Sequence, residues 1–87
     1  LHVKRILLTV ALALLVGPLF SQMVVRLNVD GSRKLIAGDV SGAMELFKRA
    51  IEIDEAYSKS YFNMGLAFYK QGKYDFAARF FFESLGV

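Results

Sequence analysis

A period of 34 residues constrains this chain more than any other feature. Moving the segment around Tyr61–Leu85 back by that distance lays Gly65 on Gly31, Gly72 on Gly38, Ala77 on Ala43 and Phe81 on Phe47. Tyr69 falls on Leu35 and Leu85 on Ile51. Coincidence of two glycines and two packing positions describes one structural unit used twice, and a period of that size is the signature of stacked supersecondary repeats. Within the later unit Tyr61, Met64, Gly65 and Phe68 recur at i, i+3, i+4 and i+7, one face of an α-helix. Gln71-Gly72-Lys73 interrupts the pattern with the residue best suited to a left-handed helix stop. Tyr74, Ala77, Phe81 and Leu85 then resume it. The spacing predicts two short helices joined by a tight turn, with Gly65 and Ala77 allowing close approach and aromatics filling the space between.

The earlier unit repeats this plan less completely. Val40–Ile53 reads as a helix with Ala43, Leu46, Phe47, Ala50 and Ile51 on its apolar face, capped by Asp39 or Ser41. The stretch before it, Arg26–Ala37, offers Leu27, Leu35 and Ile36 but puts Asp30 and Lys34 where packing residues belong. It is expected to continue from the preceding apolar segment as one long helix, or two joined at a bend.

Tyr61, Met64-Gly65, Phe68, Gly72, Tyr74, Ala77, Phe81 and Ser84 together resemble the tetratricopeptide repeat, a 34-residue helix–turn–helix unit. Met64 stands where the family has Leu, and Ser84 where it usually has Ala. Asp54-Glu55 occupies the place of the family's Pro-containing turn. The resemblance implies an all-α fold, an α-solenoid of about two TPR-like repeats over 26–57 and 58–87. It also implies a concave groove lined by the first helix of each repeat, in which Lys59, Phe62, Asn63, Leu66, Tyr69 and Lys70 would bind protein. Some members hold a terminal carboxylate with Asn at the place of Asn63. They also need Lys and Asn from the preceding repeat, where Asn28 and Ser32 stand here, so that mode is disfavoured. Plain packing of Phe62 and Tyr69, and plain solvation of Lys59 and Lys70, remain the alternative.

Ahead of the repeats, Ile6–Val25 carries no charge, and its only polar side chains are Thr9, Ser21 and Gln22. As a helix this run covers roughly 30 Å, the thickness of a bilayer's hydrocarbon core. The expectation is a membrane anchor over 1–25, bent near Pro18, where an amide is missing from the helical ladder. A signal peptide shares the basic start but wants small residues before its cleavage site, which Pro18-Leu19-Phe20-Ser21 does not supply. A helix buried against other protein is the third alternative. Lys4 and Arg5 favour a cytoplasmic N-terminus with the repeats outside the cytoplasm, against the pull of Arg26, Arg33 and Lys34 on the other flank.

The run also explains the 55% hydrophobic content. The net charge of +3 owes two charges to Lys4 and Arg5, so the remainder is nearly neutral and lacks the basic patch of a nucleic-acid binder. No cysteine is present, which removes disulfides, thiolate metal sites and a cysteine nucleophile. His2 has no neighbouring carboxylate partner, Glu52, Asp54 and Glu55 form a solvated turn, and there is no phosphate loop or His-Glu zinc pattern. No catalytic residue, metal, cofactor or small-molecule substrate is assigned.

The last helix carries Phe76, Phe80, Phe81 and Phe82, more aromatics than one buried stripe holds. Repeat arrays need about three units, or a polar cap, to cover their ends. Phe76, Phe80 and Phe82 are therefore expected to meet a protein partner or a second copy of the chain, unless the anchor helix folds back on them. The sequence points to a non-catalytic, membrane-anchored interaction scaffold, an accessory or assembly subunit of a larger membrane complex. The alternatives are a structural protein that stacks into rings or filaments, and a secreted adaptor.

Overall fold

Helix α1 of the computed structural model, which describes residues 2–86, runs unbroken over His2–Ile36. Three shorter helices follow: α2 (Val40–Ile53), α3 (Ser58–Lys70) and α4 (Tyr74–Ser84). The apolar run and the first repeat helix are thus one element, with no linker between 25 and 26. Pro18 lies inside it. The ring removes the amide that would reach the Leu14 carbonyl, and helix resumes on both sides. The extents of 57 × 28 × 13 Å describe a thin slab with α1 projecting from it.

The turns follow from their residues. Gly38 (φ 90°) and Gly72 (φ 75°) close the two hairpins in the left-handed region, where a Cβ would be strained. Asp39 caps α2, its Oδ1 accepting from the Gly42 amide at 3.0 Å. Between the hairpins, Asp54 Oδ1 accepts from the Ala56 amide at 3.0 Å, a side-chain turn in place of a proline.

Each hairpin closes on a glycine–phenylalanine contact. A Cβ on Gly31 would run into the Phe47 ring, and one on Gly65 would lie 2.6 Å from Phe81 Cδ1 and 3.2 Å from the Ala77 carbonyl oxygen. The two pairs are related by the same 34 residues. Leu35, Ala43, Phe47, Met64 and Ala67 form the core that joins the hairpins, with Val40, Met44, Ile51, Leu66, Phe68 and Phe80 packed around it.

The buried line of α1 differs from the apolar positions read in sequence. It is Val24, Asn28, Gly31 and Leu35, while Ile36 is 83% exposed. A helix turns about 100° per residue, so once Leu35 faces α2 and α3, Ile36 cannot. Val24, inside the apolar run, is already buried, so packing begins before the run ends.

Candidate protein-docking surfaces

Asn28 is the polar centre of the fold. Its Nδ2 donates to the Val24 carbonyl at 2.9 Å and to Ser60 Oγ at 2.8 Å, and its Oδ1 accepts from Asn63 Nδ2 at 2.9 Å. All three side chains are buried. Lys70 Nζ reaches the Leu35 carbonyl at 3.4 Å. Contacts that climb together, Asn28 to Ser60 and Leu35 to Lys70, show that the end of α1 and α3 run parallel.

Between these two helices lies a groove of about 270 Å³. Val25, Val29, Ser32, Arg33 and Ile36 form its α1 side, and Tyr57, Lys59 and Asn63 its α3 side. Its lining has two cations and no carboxylate. Lys59 and Asn63, expected in a groove from sequence, are here. Asn63 is buried, however, and its amide nitrogen is committed to Asn28. Leu66 is half-buried beside the core. Phe62 rests on Phe81 with ring centroids 5.4 Å apart, and Tyr69 on Tyr74 at 5.1 Å, both rings still largely exposed.

The α1 side of the groove went unassigned in sequence although the signal was present. Subtracting 34 from Lys59, Phe62, Asn63, Leu66 and Lys70 gives Val25, Asn28, Val29, Ser32 and Ile36, each of which lines the groove. The degenerate look of Arg26–Ala37 masked the correspondence.

A second, apolar cleft of about 510 Å³ opens on the other side of α3. Met44 and Ile51 of α2, Tyr61, Met64 and Phe68 of α3, and Phe80 of α4 line it, with Glu45, Lys48 and Glu52 at the rim. Phe80 stacks on Tyr61 and Phe68 at 6.4 and 5.2 Å, which makes it part of the hairpin's own packing. Phe76 lies over Phe68 at 5.3 Å and remains 49% exposed. Phe82 makes no ring contact among the described residues and is 62% exposed. The Tyr61 hydroxyl is held above its ordinary pKa by burial, and then by the carboxylates of Glu55, Glu83 and Asp54. These carboxylates belong to the α2–α3 turn and to the end of α4.

Among the described residues no group of three His, Cys, Asp or Glu side chains is placed to hold a metal ion. Among the described residues one helix, α1, is long and apolar enough to cross a membrane, a property that a signal sequence shares.

Residues 31–72 match the family model of the TPR repeat. Over 50 residues the chain is 42% identical to an uncharacterized protein of Methanocaldococcus jannaschii, a match covering 58% of this chain and 58% of that protein. The chain thus spans rather more than half the length of the curated relative it matches.

Proposed function

We propose, from the match of residues 31–72 to the tetratricopeptide repeat, that the protein is a non-catalytic docking scaffold fixed to a membrane by the first part of α1. Repeats of this family mediate contacts between proteins, and the groove and the rings on α4 supply surfaces for such contacts. One observation carries the membrane part of the proposal. The charge-free run and the first repeat helix are a single helix whose buried face begins at Val24, so the hairpins are built directly onto the apolar segment. From Leu7 to Leu15 the large side chains are exposed, and among the described residues no other part of the chain covers them. Lipid is the environment in which such a surface is stable.

The N-terminus is assigned to the cytoplasmic side on the charges of Lys4 and Arg5, and the hairpins to the opposite side. Arg33 and Lys59 make the groove selective for an acidic segment, with Phe62, Leu66, Tyr69 and Lys70 extending the same surface along α3.

Extraction of membranes at alkaline pH tests the anchor. The full chain is expected in the pellet, and Leu12→Arg, which costs about 2.5–3.5 kcal/mol at mid-span, is expected to shift a large share into the supernatant. Recovery of the unaltered chain in the supernatant would refute the anchor and favour the secreted adaptor.

A further inference from the structure

The apolar cleft lies on the side of α3 away from the groove that Lys59 and Asn63 line, and helices of this chain form both its walls and its floor. α2 and α4 each pack on α3 and do not touch one another. Two helices set about 8–10 Å to either side of a third leave a trough that takes a helix about 10–12 Å across. On α2 the lining runs from Ser41 to Glu52, about 17 Å or three turns of helix. Met44, Ile51, Met64, Phe68 and Phe80 make the surface apolar, and the two unbranched methionines adapt to whatever side chains enter.

The charge around this trough is unbalanced. Among the described residues Lys48 is the one cation in its lining, against Glu45 and Glu52. Glu45 is bridged to Arg49 at 3.8 Å, whereas Glu52 has no ion-pair partner among the described residues. The carboxylates of Glu55, Glu83 and Asp54 act on the Tyr61 hydroxyl, which lines the cleft at the first turn of α3. On α4 the Arg79 guanidinium is held over the Phe76 ring, 5.8 Å from its centroid. The end of the cleft nearest the α2–α3 turn is therefore negative.

We infer that this cleft binds a basic amphipathic helix of another protein, about three turns long, laid between α2 and α4 with its apolar face on Met44, Ile51, Met64, Phe68 and Phe80 and its cations toward Glu52. An extended segment does not suit the site. Its amides and carbonyls would meet apolar side chains and helices whose own backbone bonds are already made, while a helix satisfies its backbone internally. An acidic helix would set its carboxylates against Glu52 and Glu45.

This inference rests on the docking role proposed above and not on the anchor. The three methionines make its test site-resolved, since Met44 and Met64 line the cleft and Met23 is exposed on α1. The full chain, isotope-labelled at its methionine methyl groups and held in mild detergent, is titrated with a synthetic peptide of Leu and Lys about 12–15 residues long, with Leu at i, i+3, i+4 and i+7. Saturable NMR shifts of the Met44 and Met64 methyls are expected, with Met23 unmoved. The same peptide with Glu for Lys is expected to bind at least tenfold more weakly. Glu52→Lys with Glu83→Lys in the full chain is expected to reverse that order, and Lys48→Glu to tighten binding of the Lys peptide. All three side chains belong to exposed residues, so the helical circular dichroism signal is expected to persist in these variants. Absence of the Met44 and Met64 shifts, equal binding of the two peptides, indifference to the charge reversals, or movement of all three methyls together overturns the inference. So does displacement of the Lys peptide by a single-chain fatty alcohol, since the occupant would then be an acyl chain. An acidic peptide that leaves Met44 and Met64 unmoved and loses its binding with Lys59→Glu would remove docking from the cleft and keep it in the groove between α1 and α3. Loss of the chain from the alkaline membrane pellet with the methyl shifts intact would remove the anchor and leave the cleft standing.

Discussion

Replacing Asn28 by Ala removes three hydrogen bonds with one substitution and leaves their partners inside the protein. Ser60 is fully buried and loses the donor at its Oγ, Asn63 loses the acceptor of its amide, and the Val24 carbonyl keeps only its helical bond. A buried polar group left without a partner costs about 1–3 kcal/mol. Asn63 borders the groove, where water can replace Asn28, so most of the loss falls on Ser60. The expected destabilisation is about 2–4 kcal/mol, a large part of the ~5–15 kcal/mol of a typical domain. Urea unfolding of the full chain in mild detergent, followed by the near-ultraviolet dichroism of the tyrosines, measures it. Those residues all lie beyond α1, so the signal does not depend on its apolar part. The triple variant Asn28→Leu, Ser60→Ala, Asn63→Leu removes every partner together and is expected to recover at least half of the loss. A single-variant cost below about 0.5 kcal/mol, or a triple variant no better than the single, would refute the assignment of this network as the joint between α1 and α3.

Two further outcomes follow from the geometry. Gly65→Ala drives a methyl group into Phe81 and against the Ala77 carbonyl, whereas Gly72→Ala has open space but a φ of 75°. Both are expected to lower the urea midpoint. Overpacking costs Gly65→Ala about 1–3 kcal/mol, and backbone strain costs Gly72→Ala about 1–2 kcal/mol. Alkaline titration followed by phenolate absorbance should show Tyr61 ionising later than the other tyrosines, because burial and the Glu55, Glu83 and Asp54 carboxylates favour its neutral form. A folded pKa raised above the unfolded value leaves stability intact below the ordinary tyrosine pKa and removes it as pH rises from there through the folded value. Glu83→Gln should narrow that window, and an unchanged Tyr61 titration in this variant would contradict the effect assigned to the Glu83 carboxylate.

The hairpins were legible because their determinants repeat. Glycine at 38 and 72 answers to a left-handed turn, and glycine at 31 and 65 to a close contact with Phe47 and Phe81. What escaped was the way α1 joins them. Asn28 entered the sequence reading only as a departure from the carboxylate-holding pattern, and only the folded chain shows that it pairs with Ser60 and Asn63. Ile36 reads as core, yet the register set by Val24 and Leu35 turns it outward into the groove. The paired glycines located the surfaces, but which of Phe76, Phe80 and Phe82 stays bare depends on Tyr61 and Phe68, which shelter Phe80 and leave Phe76 and Phe82 exposed. Asn63, placed in the groove by resemblance, spends its amide on Asn28, a partner that no pattern within the second repeat could reveal.

The unbroken passage of α1 from greasy run to repeat also fixes a stature. From Val25 to Ile36 the helix climbs only about 17 Å, so under the anchoring proposed above the hairpins would sit lower over the bilayer than a small globular domain is wide. A bulky soluble protein could graze them only by pressing against the headgroups. Counterparts that suit such a low platform are polypeptides already lying beside the bilayer, for instance the stretch where another spanning helix emerges.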